Sequence, residues 1–145
     1  MSLYDHRRAV RLLTVILAVA VMVSIVHYTD NYVNYSDYPE PRSAPNPSKS
    51  LVLWAWFAFT AMGLAGCLLF RGGPSTVALV LLAAYSGSGL VGIGHYLVPE
   101  ATSMPWWRQA HVCFDIASGV AMFSFVMWAA RARRHGPVSL TAHAP

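Results

Sequence analysis

Along this chain apolar residues do not alternate with polar ones; they gather into four runs, at about 9–28, 51–70, 76–97 and 110–130. With a rise of 1.5 Å per residue, a helical run of about 20 residues crosses a hydrocarbon core of about 30 Å. Each run therefore predicts a transmembrane helix. The first is preceded by Arg7 and Arg8 and carries Arg11 in its first turn. It is read as a retained span and not as a cleaved leader. Ala18-Val19-Ala20 falls too early in the run, and its end, Val26-His27-Tyr28, is bulky where cleavage requires small residues. The second run has no charge, opens with Trp54 and Trp56, and stops at Arg71-Gly72-Gly73-Pro74, a turn no helix continues through. The third carries Ser86, Gly87, Ser88, Gly89, Gly92 and Gly94, small residues that let neighbouring helices approach closely. Its GxGxxG-like string, 87–92, follows no strand, so it has no dinucleotide-binding context. The fourth run ends at the basic stop Arg131-Ala132-Arg133-Arg134.

Helical periodicity continues beyond the first run. Tyr28, Tyr32 and Tyr35 share one face, and His27, Asp30, Asn31 and Asn34 share another, which predicts a helix ending near Asp37-Tyr38-Pro39. The stretch from there to Ser50, rich in proline and serine, reads as an extended connector within an outer loop, 29–50. From 135 to 145 there is no apolar period, and a disordered tail is expected. The fold class that follows is all-α: an integral membrane bundle of four transmembrane helices forming a single domain over 1–134.

Composition agrees with this reading and removes others. Hydrophobic residues make up 56% of the chain and charged residues 11%, too few charges for a water-soluble domain. The net charge of +4 does not point to nucleic acid, because the basic residues sit at the ends of the apolar runs. Seven of the ten, namely Arg7, Arg8, Arg11, Arg71, Arg131, Arg133 and Arg134, fall on one side, and Arg42, Lys49 and Arg108 on the other. That asymmetry predicts a cell-membrane protein with both termini cytoplasmic. Trp54, Trp56, Trp106 and Trp107 then belong to an outer aromatic belt and Trp128 to an inner one. Cys67 and Cys113 lie near opposite membrane faces, on the order of 20 Å apart by helical rise, so they form no redox pair, and each reads as a small buried residue.

The chemistry is one-sided. His27, Asp30, His95, Glu100, His111 and Asp115 all fall at the outer ends of their helices. A carboxylate inside a span needs a partner, and His111 lies four residues before Asp115 on the same face. If the stripes face inward, three imidazoles and a carboxylate from three helices meet below the outer surface, while the second span serves as a packing wall. His27, His95, His111 and Asp115 are candidate ligands for zinc, copper or iron, and Asp30 is the candidate catalytic base. A haem b held between two of the histidines is a further reading, as is a metal-free pocket handling protons or gripping a lipid-like or isoprenoid substrate. Taken singly, His27 reads as an interfacial anchor, and so does Trp106-Trp107-Arg108. The functions these residues suggest are a metal-dependent oxidoreductase or hydrolase acting on a lipid-phase substrate, or a non-catalytic lipid-binding or accessory subunit of a membrane complex. Membrane lipid is the expected partner, and a homo-oligomer through Gly63, Gly66 and Cys67 is considered.

Overall fold

The structure, a computed structural model, describes residues 3–39, 47–99 and 101–134. The connector over 40–46, Glu100 and the tail from 135 lie outside the described residues. Four helices follow one another: α1 (Leu3–Val33), α2 (Lys49–Gly72), α3 (Thr76–Leu90) and α4 (Trp106–Arg134). Short 3-10 segments lie at Tyr35–Asp37, Val91–Leu97 and Ala101–Ser103, and no strand occurs among the described residues. Four segments, Asp5–Val33, Lys49–Gly72, Thr76–Leu97 and Trp106–Arg134, are long and apolar enough to cross a membrane. All four expected helices are therefore present, each long and apolar enough to span. The first helix ends earlier than its periodicity predicted: the α-helix closes at Val33, and Asn34, at φ −105° and ψ 36°, leads into the tighter 3-10 turn.

Local chemistry fixes the ends of α2 and α3. The Ser48 hydroxyl accepts from the Leu51 amide at 3.3 Å, and the Ser75 hydroxyl from the Ala78 amide at 3.1 Å, so each serine satisfies a donor that has no partner within its helix. Between the helices Gly73 adopts φ 144° and ψ 155°, a region essentially restricted to glycine, and Pro74 follows it. The helices pack antiparallel around a closed square, each against its two neighbours. His6 Nε2 lies 3.2 Å from the Arg71 carbonyl, and Arg133 Nη1 donates to Thr76 Oγ1 at 2.8 Å. Both ends of the described helical bundle and the α2–α3 turn thus share one end, called here the basic end.

The interior changes character along its length. On α1 the buried positions are Ala9, Leu13, Leu17, Ala20, Ser24 and His27, one ladder at three- and four-residue steps that turns from apolar to polar. On α4 the same change runs the other way, through Arg108, His111, Asp115, Gly119, Met122, Phe125 and Ala129. Phe70, Leu82, Met122 and their neighbours fill the basic half, with Phe70 and Phe125 edge to face at 5.4 Å. The opposite, histidine end has a polar core. The outward faces are apolar, with Leu12, Val15, Val19, Met22, Leu64 and Leu68 exposed, as contact with lipid requires.

Helix spacing is set by glycine. A Cβ on Gly119 would come within 2.8 Å of the Ser86 carbonyl oxygen and 2.9 Å of the Leu90 nitrogen, and one on Gly89 would meet the α4 backbone at Asp115 and Gly119. The α3 and α4 backbones touch there. Gly63 and Gly66 face Tyr85 and Leu82 of α3, with a built Cβ at 2.8 and 2.9 Å from their side chains. The suggested homodimer seam is therefore used inside the monomer, because α3 occupies it. Cys67 is buried as expected but Cys113 is exposed, since position 113 turns away from the face holding Asp115.

Gly119→Ala is expected to lower stability by about 1–3 kcal/mol, because its neighbours are backbone and cannot rotate aside. Gly87→Ala, where a Cβ meets nothing within 4 Å, is expected to be neutral or stabilising by up to about 1 kcal/mol. Unfolding of the two variants in detergent against the parent checks the contrast.

Candidate functional site

The residues expected to converge do so. α1 brings His27, the 3-10 segment after α3 brings His95, and α4 brings His111 and Asp115. The glycine contact between α3 and α4 lets these backbones approach closely enough for the short imidazole side chains to meet. The His27 ring centroid lies 5.4 Å from that of His95 and 5.3 Å from that of His111. His27 Nδ1 and His111 Nδ1 are 3.1 Å apart, so one of them donates a hydrogen bond to the other. The far nitrogen of His27, Nε2, faces Asp115 Oδ2 at 3.9 Å. The amide of Asn31 donates to His95 Nε2 at 3.4 Å, with the Tyr38 ring packed against His95 at 5.0 Å.

Burial is nearly complete. His27 is 3% exposed, His111 8% and Asp115 1%, so His27 is an internal residue and not the interfacial anchor that its position near the end of an apolar run suggested. Its place on the α1 ladder, three residues after Ser24, turns it inward. Two polar atoms in this cluster, His111 Nε2 and Asp115 Oδ2, are buried and make no hydrogen bond. His111 Nε2 lies 3.3 Å from Asp30 Oδ2, within reach of an ion pair but out of line for a hydrogen bond. An unpaired carboxylate well inside a membrane costs up to about 2.5–3.5 kcal/mol, so the His27 imidazole 3.9 Å from Asp115 is its nearest compensation.

A second group closes the site from above. Asp30 accepts from Tyr38 Oη at 2.6 Å, from Asn34 Nδ2 at 2.6 Å and from Arg108 Nε at 3.0 Å. Arg108 also reaches Asp37 Oδ2 at 3.4 Å, and its guanidinium stacks between the rings of Tyr38 and Trp107, at 4.8 and 5.0 Å. The Arg108 and Asp30 side chains are 5% and 9% exposed, whereas Asp37 is 58% exposed and open to water. Burial, together with the hydrogen bond given to Asp30, holds the Tyr38 hydroxyl well above the usual phenol range, so it remains a donor. Two expectations change here. Asp30 is not a free base, because three donors occupy its oxygens. Arg108 is no surface anchor: it is a buried cation with two carboxylate partners.

The ring nitrogens lie along a chain instead of pointing at one centre. Asp115, His27, His111 and Asp30 follow one another at 3.9, 3.1 and 3.3 Å, and Arg108 carries the line to Asp37 at the surface. Among the described residues no group of three His, Cys, Asp or Glu side chains is arranged to hold a metal ion. The His27 ring packs against both other imidazoles. Beside the cluster an apolar cavity of about 140 Å³ opens between α1 and α2, lined by Ile25, Tyr28, Thr29, Tyr32, Leu53 and Trp56. Tyr28 joins the two, its ring edge to face with His27 at 5.4 Å and its hydroxyl directed at the Ser88 carbonyl at 3.4 Å. Trp56 is turned inward, donating to Ser24 Oγ at 3.1 Å, whereas Trp54, Trp106 and Trp107 are exposed. No family model, curated protein or solved structure matches this chain.

Arg108→Ala strands two carboxylates, one of them buried, and is expected to destabilise the protein by about 3–5 kcal/mol. Adding Asp30→Asn should recover part of that loss, since the stranded charge is removed. A double-mutant cycle on unfolding in detergent measures the coupling; strictly additive losses would show that the two residues do not act as a pair.

Proposed function

We propose that this is a small multi-pass membrane protein acting at one face of the cell membrane on a lipid-phase substrate, lipid-like or isoprenoid, with the buried histidine–aspartate chain as its acid–base group. The observation that carries this reading is the continuous line of titratable side chains from Asp30 through His111 and His27 to Asp115 inside the bundle, at hydrogen-bond or ion-pair distances throughout. Adjacent imidazoles pass a proton by exchanging donor and acceptor roles, and each carboxylate stabilises the imidazolium formed beside it. The groove beside Tyr28 supports a substrate arriving from the lipid phase. Its volume is close to that of an apolar protein cavity of about 150 Å³ that accepts a benzene ring. In this reading Asp30 orients His111, and Arg108 holds Asp30 in place. The seven-to-three distribution of arginine and lysine supports cytoplasmic termini, with the histidine end outside.

A metal-dependent oxidoreductase or hydrolase is the second reading, and one observation favours it. Two donors each about 2.0–2.1 Å from a single zinc ion stand roughly 3.3 Å apart in a tetrahedral site, close to the 3.1 Å between the two Nδ1 atoms. Zinc, copper or iron would then draw His27 and His111 together with His95 or Asp115, after side-chain rotation.

Elemental analysis of never-chelated protein in detergent separates the two. Metal at background level is expected; near-stoichiometric metal that disappears in His111→Ala would replace the acid–base reading with the metal one. In the same preparation a short isoprenyl alcohol should bind saturably, read by tryptophan fluorescence, and bind more weakly to Trp56→Ala. The pH dependence of that binding should vanish in Asp115→Asn and His27→Gln. Identical curves for the parent and Asp115→Asn at every pH would remove the acid–base role and leave a non-catalytic lipid-binding or accessory subunit.

A further inference from the structure

At the basic end, far from His27, His95 and His111, a second cavity of about 570 Å³ lies between α1 and α2, lined by His6, Arg7, Val10, Arg11 and Arg71. Arg7 and Arg11 are one turn apart on α1, a like-charge pair that weakens a helix on its own. Arg71, from the last turn of α2, brings a third guanidinium to the same cavity. Asp30, Asp37 and Asp115 are all engaged in the network at the opposite end of the bundle and reach none of the three. His6 stands at the seam, its Nε2 3.2 Å from the Arg71 carbonyl and its ring 5.6 Å from Phe70, while its Nδ1 is buried without a partner. Three guanidiniums from two helices around one hollow call for an anion rich in hydrogen-bond acceptors.

The surroundings indicate what carries that anion. One turn toward the membrane from Arg11, α1 exposes Val15, and one turn from Arg71, α2 exposes Leu68, at 61% and 65%. Val10 lines the cavity itself. A ligand seated here has its charge among guanidiniums and its body along exposed aliphatic side chains. We propose that this cavity binds the phosphate-bearing headgroup of an anionic phospholipid, with Arg7, Arg11 and Arg71 holding the phosphate and the acyl chains running past Val15 and Leu68. Basic pockets between transmembrane helices bind such headgroups by this combination of charge and hydrogen bonding. The site is separate from the histidine chain and does not depend on its function.

Native mass spectrometry of the full chain, released from detergent in the presence of phosphatidylglycerol or phosphatidylcholine, tests this. Phosphatidylglycerol should be retained at least about tenfold better, because each arginine near an anionic headgroup adds a substantial attraction. The preference should disappear in the triple variant Arg7→Gln/Arg11→Gln/Arg71→Gln, which relieves charge repulsion and is expected to fold at least as well as the parent. Arg7→Gln and Arg71→Gln alone, from different helices, should each weaken it, while Arg131→Gln, which does not line the cavity, should leave it intact. Equal retention of the two lipids would overturn the proposal, as would a loss in Arg131→Gln matching that of the triple variant. Displacement of phosphatidylglycerol by an equal concentration of inorganic pyrophosphate would overturn the lipid source and assign the pocket to a soluble phosphate compound.

Discussion

One buried ion pair, Arg108 with Asp30, governs the histidine end of this bundle. A guanidinium cannot lose its proton, so wherever it is withdrawn from water it must bring a carboxylate with it. Here it brings two, one sealed and one at the surface, and two aromatic faces besides. Once Arg108 is fixed, so is Asp30, and with Asp30 the placement of Tyr38, Asn34 and His111. The loop after α1 is thereby pinned over the bundle, sealing the imidazoles beneath it. The low dielectric of the surroundings strengthens each of these contacts and makes an unpaired member correspondingly expensive.

The other half of the bundle is a conventional apolar core, and the two halves share their ladders. α1 uses one stripe for both, Leu13 and Leu17 in the apolar part and Ser24 and His27 in the polar part. No kink or change of face is needed to pass between them, so rigid packing around Phe70 and Met122 sets the azimuth of His27 and Asp115. The glycine contact between α3 and α4 does the same for their separation. Precision at the polar end is inherited from close packing at the apolar end, which is how a chain of this size can hold short side chains in register.

Much of this was legible in the residue pattern. Four apolar runs defined four spans, and the position of His27, His95, His111 and Asp115 at one end of three helices foretold their meeting, because inward stripes in a four-helix square must face one another. Arg108 departs from the anchor its neighbours suggest, although its sequence position holds the signal: 108, 111, 115, 119 and 122 form one stripe, so an arginine seven residues before Asp115 faces inward with it. Proximity to Trp106 and Trp107 made it resemble an anchor, and an anchor would have left Asp30 free to act as a base. His27 departs from expectation for a related reason, since nearness to the end of an apolar run says nothing about which face a residue occupies. The order of the ring nitrogens lay beyond reach, because it depends on side-chain rotation, which no spacing rule encodes. The doubling of Gly63 and Gly66 as an internal seam was likewise hidden, since small residues look the same whichever helix they receive.

His95 rides on seven residues of 3-10 helix, longer than such segments usually run. A 3-10 helix rises about 2.0 Å per residue against 1.5 Å in an α-helix and turns about 120° per residue against 100°. Rewinding Val91–Leu97 as α-helix would shorten the segment by roughly 3.5 Å and swing His95 through roughly 100° relative to α3. The winding state of one short stretch therefore acts as a gauge of length and angle, and it decides whether the third imidazole stands beside the other two.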